Sequence, residues 1–485
     1  MNVKVISRNV GASLLVSALF MFFSILVSVA NGNDSALAAL IISCTITFTV
    51  GIFPFIFVRK PSAISMTDGY VIIVLAWLLS FIFGMLPYAL WGGPFTVINA
   101  WFESVSGFTT TGATILDNVE GLPNSLLFWR SSTHFIGGLG VVVFLLLLIP
   151  SASQMKLRLS SLEISTLTKS TYRTMSNRTV YIFTYVYLGI TAAAFLCYWI
   201  AGMSAFEAIC HAMSVAATGG FSTRNLSIAS FRSLPITLIT MLFMILASTN
   251  FGMIFLAVIR RSLKPLNNEV LKFYLWGLAV GSLLVAVTLK LVGVEQNWGD
   301  ALLNGSFHII SFASTTGFAI ADNSIWPLLP SVLLIFLGLR CGMAGSTTGG
   351  LKSDRILLLY KQIGYYLMHV MHPASIHEVR VSGRVLKQEE VAPHILFVAL
   401  FLVVMMLSFL LCLTFGVDNR NALIGTISCL SNVGPSVGEL GTFGNYNIES
   451  AAAKFMYALD MFLGRVEIYP ILAVVAMIFG KKPIR

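Results

Sequence analysis

Hydrophobic runs of two lengths alternate along this chain. Ten of them, at 10–30, 36–58, 70–91, 126–149, 180–201, 234–259, 270–293, 327–347, 394–416 and 450–479, reach the roughly 20 residues a helix needs to cross a bilayer. Four others, at 95–109, 204–217, 300–314 and 421–431, are too short to cross. Lipid cannot satisfy backbone polar groups, so irregular chain at membrane depth must line a protein cavity. The short runs therefore read as re-entrant half-helices. Each ends in a small-residue turn centred on glycine: Thr110-Thr111-Gly112, Ala217-Thr218-Gly219, Thr315-Thr316-Gly317 and Asn432-Val433-Gly434. The pattern predicts four tandem copies of helix, half-helix, turn and helix, preceded by two more helices.

Aligning the copies on those glycines, roughly a hundred residues apart, tests the repeat. Asn99-Ala100, Asn304-Gly305 and Asn421-Ala422 then share a column in which the second copy has Phe206-Glu207. Thr111, Thr218, Thr316 and Val433 precede the glycines. Four such turns around one axis supply rings of carbonyl oxygens able to replace the hydration shell of a cation. The half-helices point their partially negative C-termini at the same place, and the threonines offer further hydroxyl oxygens. The fold class expected is an all-α polytopic membrane protein with a pseudo-fourfold pore. Its parts are an N-terminal two-helix extension (1–60) and pore units at 61–150, 151–262, 263–375 and 376–485.

Composition agrees with the bilayer reading. The 485 residues are 57% hydrophobic and only 10% charged, with a mean hydropathy of +0.87, against about 25% charged in soluble domains. The first run follows Lys4 and Arg8 and is too long for a signal-peptide core, so it reads as a retained helix. With a cytoplasmic N-terminus most Lys and Arg fall inside, among them Arg59, Lys156, Arg173, Arg260, Lys264, Lys352, Arg355, Arg384 and Lys481. Both termini are then cytoplasmic. The formal charge of +10 is a topology signal, and nucleic-acid binding has no basic soluble domain to rest on. Asp34, Asp117, Glu120, Glu295, Asp300, Asp322, Asp418, Glu439 and Glu449 fall outside, predicting an outer vestibule that attracts cations. Six cysteines without a CxxC pair suggest neither a disulfide framework nor zinc.

These residues resemble the Trk/Ktr/HKT superfamily of potassium translocation proteins, most closely its TrkH branch. The resemblance rests on Ser106-Gly107-Phe108-Thr109-Thr110-Thr111-Gly112-Ala113-Thr114 and Ser431-Asn432-Val433-Gly434-Pro435, which look like the first and fourth filter loops. Phe128-Trp129-Arg130, Gly137-Gly138-Leu139-Gly140, Asn250-Phe251-Gly252 and Gly464-Arg465-Val466-Glu467 also match. It extends from about residue 60 to the end, and the two preceding helices favour the TrkH branch. It implies potassium as the transported ion, a cell inner membrane location, a homodimer with one pore per subunit, and a cytosolic nucleotide-binding TrkA-type ring as partner. Glycine at all four loop centres implies preference for potassium over sodium.

Gly338 to Lys352, with Gly342, Ala344, Gly345, Ser346, Thr347, Gly349 and Gly350, is too rich in glycine to hold a rigid helix, at about 1 kcal/mol per glycine relative to alanine. It resembles the family's intramembrane gating loop. A phosphate-binding reading fails because Leu351 separates Gly350 from Lys352 and no strand precedes. Arg465 lies inside an apolar helix, where an arginine costs at least about 2.5 kcal/mol and faces protein or water. The resemblance places it under the filter as part of the gate; a structural ion pair with Glu467 or Asp460 is the alternative. Arg340 departs from the apolar residue usual at its position. Arg130 reads as an anchor at an outer helix end.

His211 and His308 lie on half-helices and suit hydrogen bonds to nearby backbone. His369, His372 and His377 fall in a cytoplasmic stretch. No nucleophile elbow, HExxH or dinucleotide fingerprint supports an enzyme. Two functions remain: a gated potassium pore, and a secondary potassium symporter coupled to protons or sodium. The spans offer a proton relay few members, namely Asp460, Glu467 and His134.

Overall fold

The computed structural model describes residues 2–58, 66–140, 179–373 and 378–480. The chain begins with an antiparallel hairpin of α1 (Val3–Ala30) and α2 (Leu37–Phe57). Its helices approach closely at two glycines: a Cβ on Gly11 would lie 2.6 Å from the Gly51 carbonyl oxygen. Small residues at such a crossing let backbones pack in a medium where hydrophobicity drives no association. Asp34, in the connecting turn, accepts hydrogen bonds from the Ser125 backbone and hydroxyl at 3.1 and 2.9 Å, tying the hairpin to the helix that follows the first turn.

Four groups of helices follow. The first holds α3 (Met66–Gly84), α4 (Leu86–Trp91), α5 (Val97–Phe108) and α6 (Asn124–Leu139). The second holds α7 (Thr179–Ile200), α8 (Ala205–Ala216), α9 (Leu234–Ala247) and α10 (Phe251–Ile259). In the third are α11 (Glu269–Val292), α12 (Trp298–Ala313), α13 (Leu328–Arg340) and α14 (Ser353–Met371). In the fourth are α15 (Gln388–Thr414), α16 (Asn419–Ser431), α17 (Ala451–Arg465) and α18 (Tyr469–Ile478). A small antiparallel hairpin of β1 (Val379–Val381) and β2 (Arg384–Leu386), which the hydrophobic pattern did not announce, separates the last two groups.

The half-helices α5, α8, α12 and α16 lie within three residues of the four short apolar runs. Their starts are chemically marked. Thr96 accepts from the Asn99 amide, Ser204 and Glu207 form a reciprocal capping box, and Asp418 accepts from the Arg420 amide.

Two of the expected continuous spans need correction, and a third breaks inside the glycine-rich segment 338–352, as expected. Run 234–259 is two helices bent by 101° at residues 248–250, and run 450–479 is two helices bent by 108° at 466–468. Run 327–347 stops as a helix at Arg340. The first helix of each is only 13 to 15 residues long. α6, of 16 residues, ends at Gly140 with φ 73°, and the rest of run 126–149 lies outside the described residues. All four helices that follow a glycine turn therefore stop after roughly 20–24 Å. The physical causes are local: Asn250 caps a new helix, while Glu467 and Ile468 adopt φ of 62° and 57°, which no helix continues.

Candidate functional site

The four half-helices end alike. Thr110, Thr218, Thr315 and Asn432 take the left-handed conformation, with φ of 53°, 55°, 52° and 56°. Each donates its amide three residues back, and the next residue donates five residues back, to Ser106, Ser214, Ser311 and Ser428, at 2.9 to 3.0 Å. This is the Schellman helix end, ordinarily built on glycine. Placing threonine there strains the backbone by roughly 1–3 kcal/mol, a cost usually found at functional sites.

Two residues beyond each of these positions comes a glycine with positive φ: Gly112 (80°), Gly220 (84°), Gly317 (76°) and Gly434 (90°). In the second loop the glycine that occupies this position is thus Gly220, not Gly219. Counted from Gly220, Glu207-Ala208 joins Asn99-Ala100, Asn304-Gly305 and Asn421-Ala422, so a small residue follows the polar one in all four copies. The serine column appears only in this register.

The loops close on one another. A Cβ added to Gly112 would lie 2.0 Å from the carbonyl oxygen of Gly219, and one on Gly220 would lie 2.1 Å from that of Thr316. One on Gly317 would meet the carbonyl of Val433 at 2.5 Å, and one on Gly434 that of Thr111 at 2.2 Å. The sequence of contacts runs first to second to third to fourth and back to first. Asn432 strengthens the closure by donating to the Thr111 hydroxyl at 3.0 Å and to the Met461 carbonyl at 2.8 Å. The hydroxyls of Thr111 and Thr316 bond Thr109 and Ser314 at 2.8 and 2.7 Å, and that of Thr218 bonds the Ala217 carbonyl at 2.6 Å, so these three are engaged within the wall.

All four positive-φ glycines border one cavity of about 270 Å³. Asp117 lines it, and so do Arg130 and Arg224. The vestibule is therefore less uniformly acidic than the loop charges suggested. Each arginine has its own carboxylate: Arg130 pairs with Glu103 at 2.7 Å, both almost fully buried, and Arg224 pairs with Glu207 at 2.6 Å. Glu103 also accepts from the Thr114 hydroxyl at 3.0 Å and the Ile115 amide at 3.2 Å, stapling the chain leaving the first turn to its half-helix. At the corresponding place His211 bonds the Glu207 carbonyl and the Ser222 hydroxyl at 2.8 and 2.9 Å. His308 bonds the Asn304 and Ala321 carbonyls at 2.8 and 3.1 Å.

On the other side of the ring, residues 341–352 form a loop whose ends are drawn together. The Ser353 amide donates to the Gly342 carbonyl at 2.9 Å, and the Leu351 amide to that of Leu339 at 3.2 Å. Asp354 accepts from the Ala344 amide at 2.6 Å. The loop leans on the bend between α9 and α10. Met343 donates to the Ser248 carbonyl, Phe251 donates to that of Gly345, and the Asn250 side chain donates to that of Ala344, at 2.9, 2.9 and 2.7 Å. Its tip reaches the half-helix ends: Thr347 donates to the Ala216 carbonyl at 3.1 Å, and the Gly349 amide to the Thr315 hydroxyl at 3.2 Å. A Cβ on Gly349 would lie 2.6 Å from the Ser431 carbonyl oxygen. Ser346 closes the tip on itself through Thr348 at 2.8 Å, and Gly350 turns the chain with φ 59°.

Arg465 bridges the loop and the first group, donating to the Thr347 carbonyl at 2.7 Å and the Gly137 carbonyl at 2.6 Å. Glu467 has cations of its own, Lys352 at 3.0 Å and Arg355 at 2.7 Å.

The TrkH family of cation transport proteins matches residues 38–481. The chain belongs to that family. The Trk system potassium uptake protein TrkH of Escherichia coli (strain K12) is 31% identical over 429 residues, covering 87% of this chain and 88% of that protein. TrkH of Halomonas elongata is 31% identical over 490 residues, covering 99% and 100%. The crystal structure of the potassium transporter TrkH from Vibrio parahaemolyticus has a TM-score of 0.88 and 29% identity, covering 99% of this chain and 100% of that one.

In this TrkH-family chain the turn residues named from sequence meet in one ring, with Ala217 closing its half-helix and Gly219 occupying the position of Thr111. Loop residues Gly342 to Gly350 and Arg465 meet beneath it. Three groups escaped the sequence reading. Gly220 was hidden by the Gly219-Gly220 pair, and the serine column by the resulting slip. Glu103 has a recognisable signal in hindsight, a lone carboxylate within an apolar half-helix. His377 and several of the basic residues, including Arg59, Lys156, Arg173 and Lys481, lie outside the described residues.

Proposed function

We propose that this chain carries potassium into the cell through a selective, gated pore, with the four-loop ring as its filter. The observation that supports it is the closed cycle in which each loop's carbonyl abuts the next loop's glycine. Thr110, Thr111, Gly112; Ala217, Thr218, Gly219; Thr315, Thr316, Gly317; and Asn432, Val433, Gly434 are the filter residues, with Gly220 added. Such a ring replaces the water around a dehydrated cation with backbone oxygens. The loop with Gly342, Ala344, Gly345, Ser346, Thr347, Gly349, Gly350 and Lys352 obstructs the path below, and Arg465 both latches it and places a positive charge there. Four pore units after the N-terminal hairpin are the natural division of the chain.

The relatives' names speak of a Trk system, and we extend that to a homodimer working with a cytosolic TrkA-type ring, in the cell inner membrane with both termini cytoplasmic. A proton-coupled symporter would need a titratable group at the ring. His134 bonds Ser214 behind the second loop, Asp460 accepts from Ser408 on α15, and Glu467 is held by Lys352 and Arg355. None of the three lines the vestibule. The test is current across a planar bilayer with potassium, sodium and proton gradients varied separately. Uncoupled conduction predicts potassium moving only down its own electrochemical gradient; potassium driven against that gradient by a proton or sodium gradient would establish coupling instead.

A further inference from the structure

Arg340, at the end of α13, is buried to 8% exposure. Its Nη2 donates to the Phe273 carbonyl of α11, and its guanidinium carbon lies 3.8 Å from the centre of the Phe273 ring. Its Nε has no hydrogen-bond partner, and no carboxylate among the described residues pairs with it. A buried charge left without a counter-ion is costly. Room has nevertheless been made for it: a Cβ on Gly277 would lie 2.2 Å from Arg340 Nη1.

The same guanidinium lines a groove of about 550 Å³ between α11 and α13, whose wall is otherwise largely apolar, with Trp276, Leu284 and Phe336 exposed. Phe273 stands four residues into α11, which sets the charge roughly 6 Å from the start of that helix. That end of α11 carries the charged residues Glu269 and Lys272. Lys272 lines the same end. Glu269 lines it too, but its carboxylate is engaged by Lys361 and by the Ser382 amide. A buried cation at the charged end of an exposed apolar groove matches a molecule with an anionic head and a hydrocarbon tail.

We propose that this groove binds one anionic phospholipid, its phosphate accepting from Arg340 and Lys272 and one acyl chain lying along Trp276, Leu284 and Phe336. Cys341, the next residue, has φ 44° and opens the intramembrane loop, so the lipid fixes the point from which that loop leaves α13. The site is separate from the ring of loops and stands whether or not the ring is a filter.

Native mass spectrometry of the full chain, exchanged into detergent and incubated with phosphatidylglycerol or phosphatidylcholine, tests this. Wild type retains one phosphatidylglycerol in preference to phosphatidylcholine, and Arg340→Gln weakens that retention about tenfold and abolishes the preference. Leu284→Trp, on the exposed wall, weakens it by obstructing the chain and serves alone if Arg340→Gln does not fold. Equal retention by the folded variants and wild type overturns the proposal. Displacement of the lipid by millimolar inorganic phosphate overturns it in favour of a free-anion site. A lipid-free groove protected within a dimer, seen as Trp276 quenching that changes only on dissociation, overturns it in favour of a second copy.

Discussion

Glycine is required at the ring for two separable reasons. Positive φ near 80° is strained for any L-residue, and each missing Cβ is space that a neighbouring carbonyl already occupies. Gly112→Ser and Gly220→Ser are therefore expected to lower the potassium-over-sodium permeability ratio about tenfold, the counterpart of roughly 1–3 kcal/mol of misplaced backbone. Reversal potentials under bi-ionic conditions measure it. An unchanged ratio in a folded Gly220→Ser protein would return the second loop to the register read from Gly219. Glu103 acts differently. It is buried against Arg130 and holds the chain leaving the first turn, so Glu103→Ala strands a buried guanidinium and costs about 3–5 kcal/mol. Thermal unfolding in detergent is expected to fall by several degrees, and Glu103→Gln, which keeps acceptor and shape, by less.

At the level of elements, three breaks in the helices that follow the turns serve one purpose. The bend at 248–250 offers carbonyls and Asn250 to the loop, the break after Arg340 releases the loop itself, and the bend at 466–468 presents Glu467 to its two cations. Arg465 sits one residue before the last bend and reaches across to α6. If the loop obstructs the path, Arg465→Ala is expected to raise basal potassium flux roughly tenfold in proteoliposomes without any regulatory partner, since charge-assisted hydrogen bonds are worth about 1.5–3 kcal/mol. Because Glu467 keeps Lys352 and Arg355, the variant is expected to remain folded, checked by size-exclusion chromatography. Unchanged or reduced flux per folded protein would leave Arg465 a structural role only. Asn250→Ala removes a helix cap as well as a loop anchor, costing about 1 kcal/mol through the cap, and the expectation is again higher basal flux.

For the whole molecule, a site assembled from four distant segments links ion binding to global stability. Any ion that binds the folded ring and not the unfolded chain raises the unfolding temperature by mass action. Potassium at saturating concentration is expected to raise it relative to the same concentration of sodium, with the difference lost in Gly112→Ser. Equal stabilisation by both ions in wild type would argue against a selective ring.

Much of this architecture was legible in the linear sequence because the bilayer imposes simple rules. Span length and the need to satisfy backbone groups set the ten apolar runs apart from the four short ones, and the half-helices lie within three residues of where those runs placed them. Glycine spacing brought out the repeat. The second loop's register was not legible, since Gly219 and Gly220 are equally good candidates in one dimension and only φ and the neighbouring Thr316 carbonyl distinguish them. Nor were the bends at 248–250 and 466–468, because each run as a whole is long and apolar enough to cross a membrane, and the polar residues at the bends are matched to partners about a hundred or more residues away: Asn250 to Ala344, Glu467 to Lys352 and Arg355. Composition, run length and glycine spacing thus determined that the chain is an all-α membrane protein with four half-helices ending in glycine turns. Which atoms face one another across the ring, and which charge answers which, was decided by tertiary structure, because those are relations between separate segments.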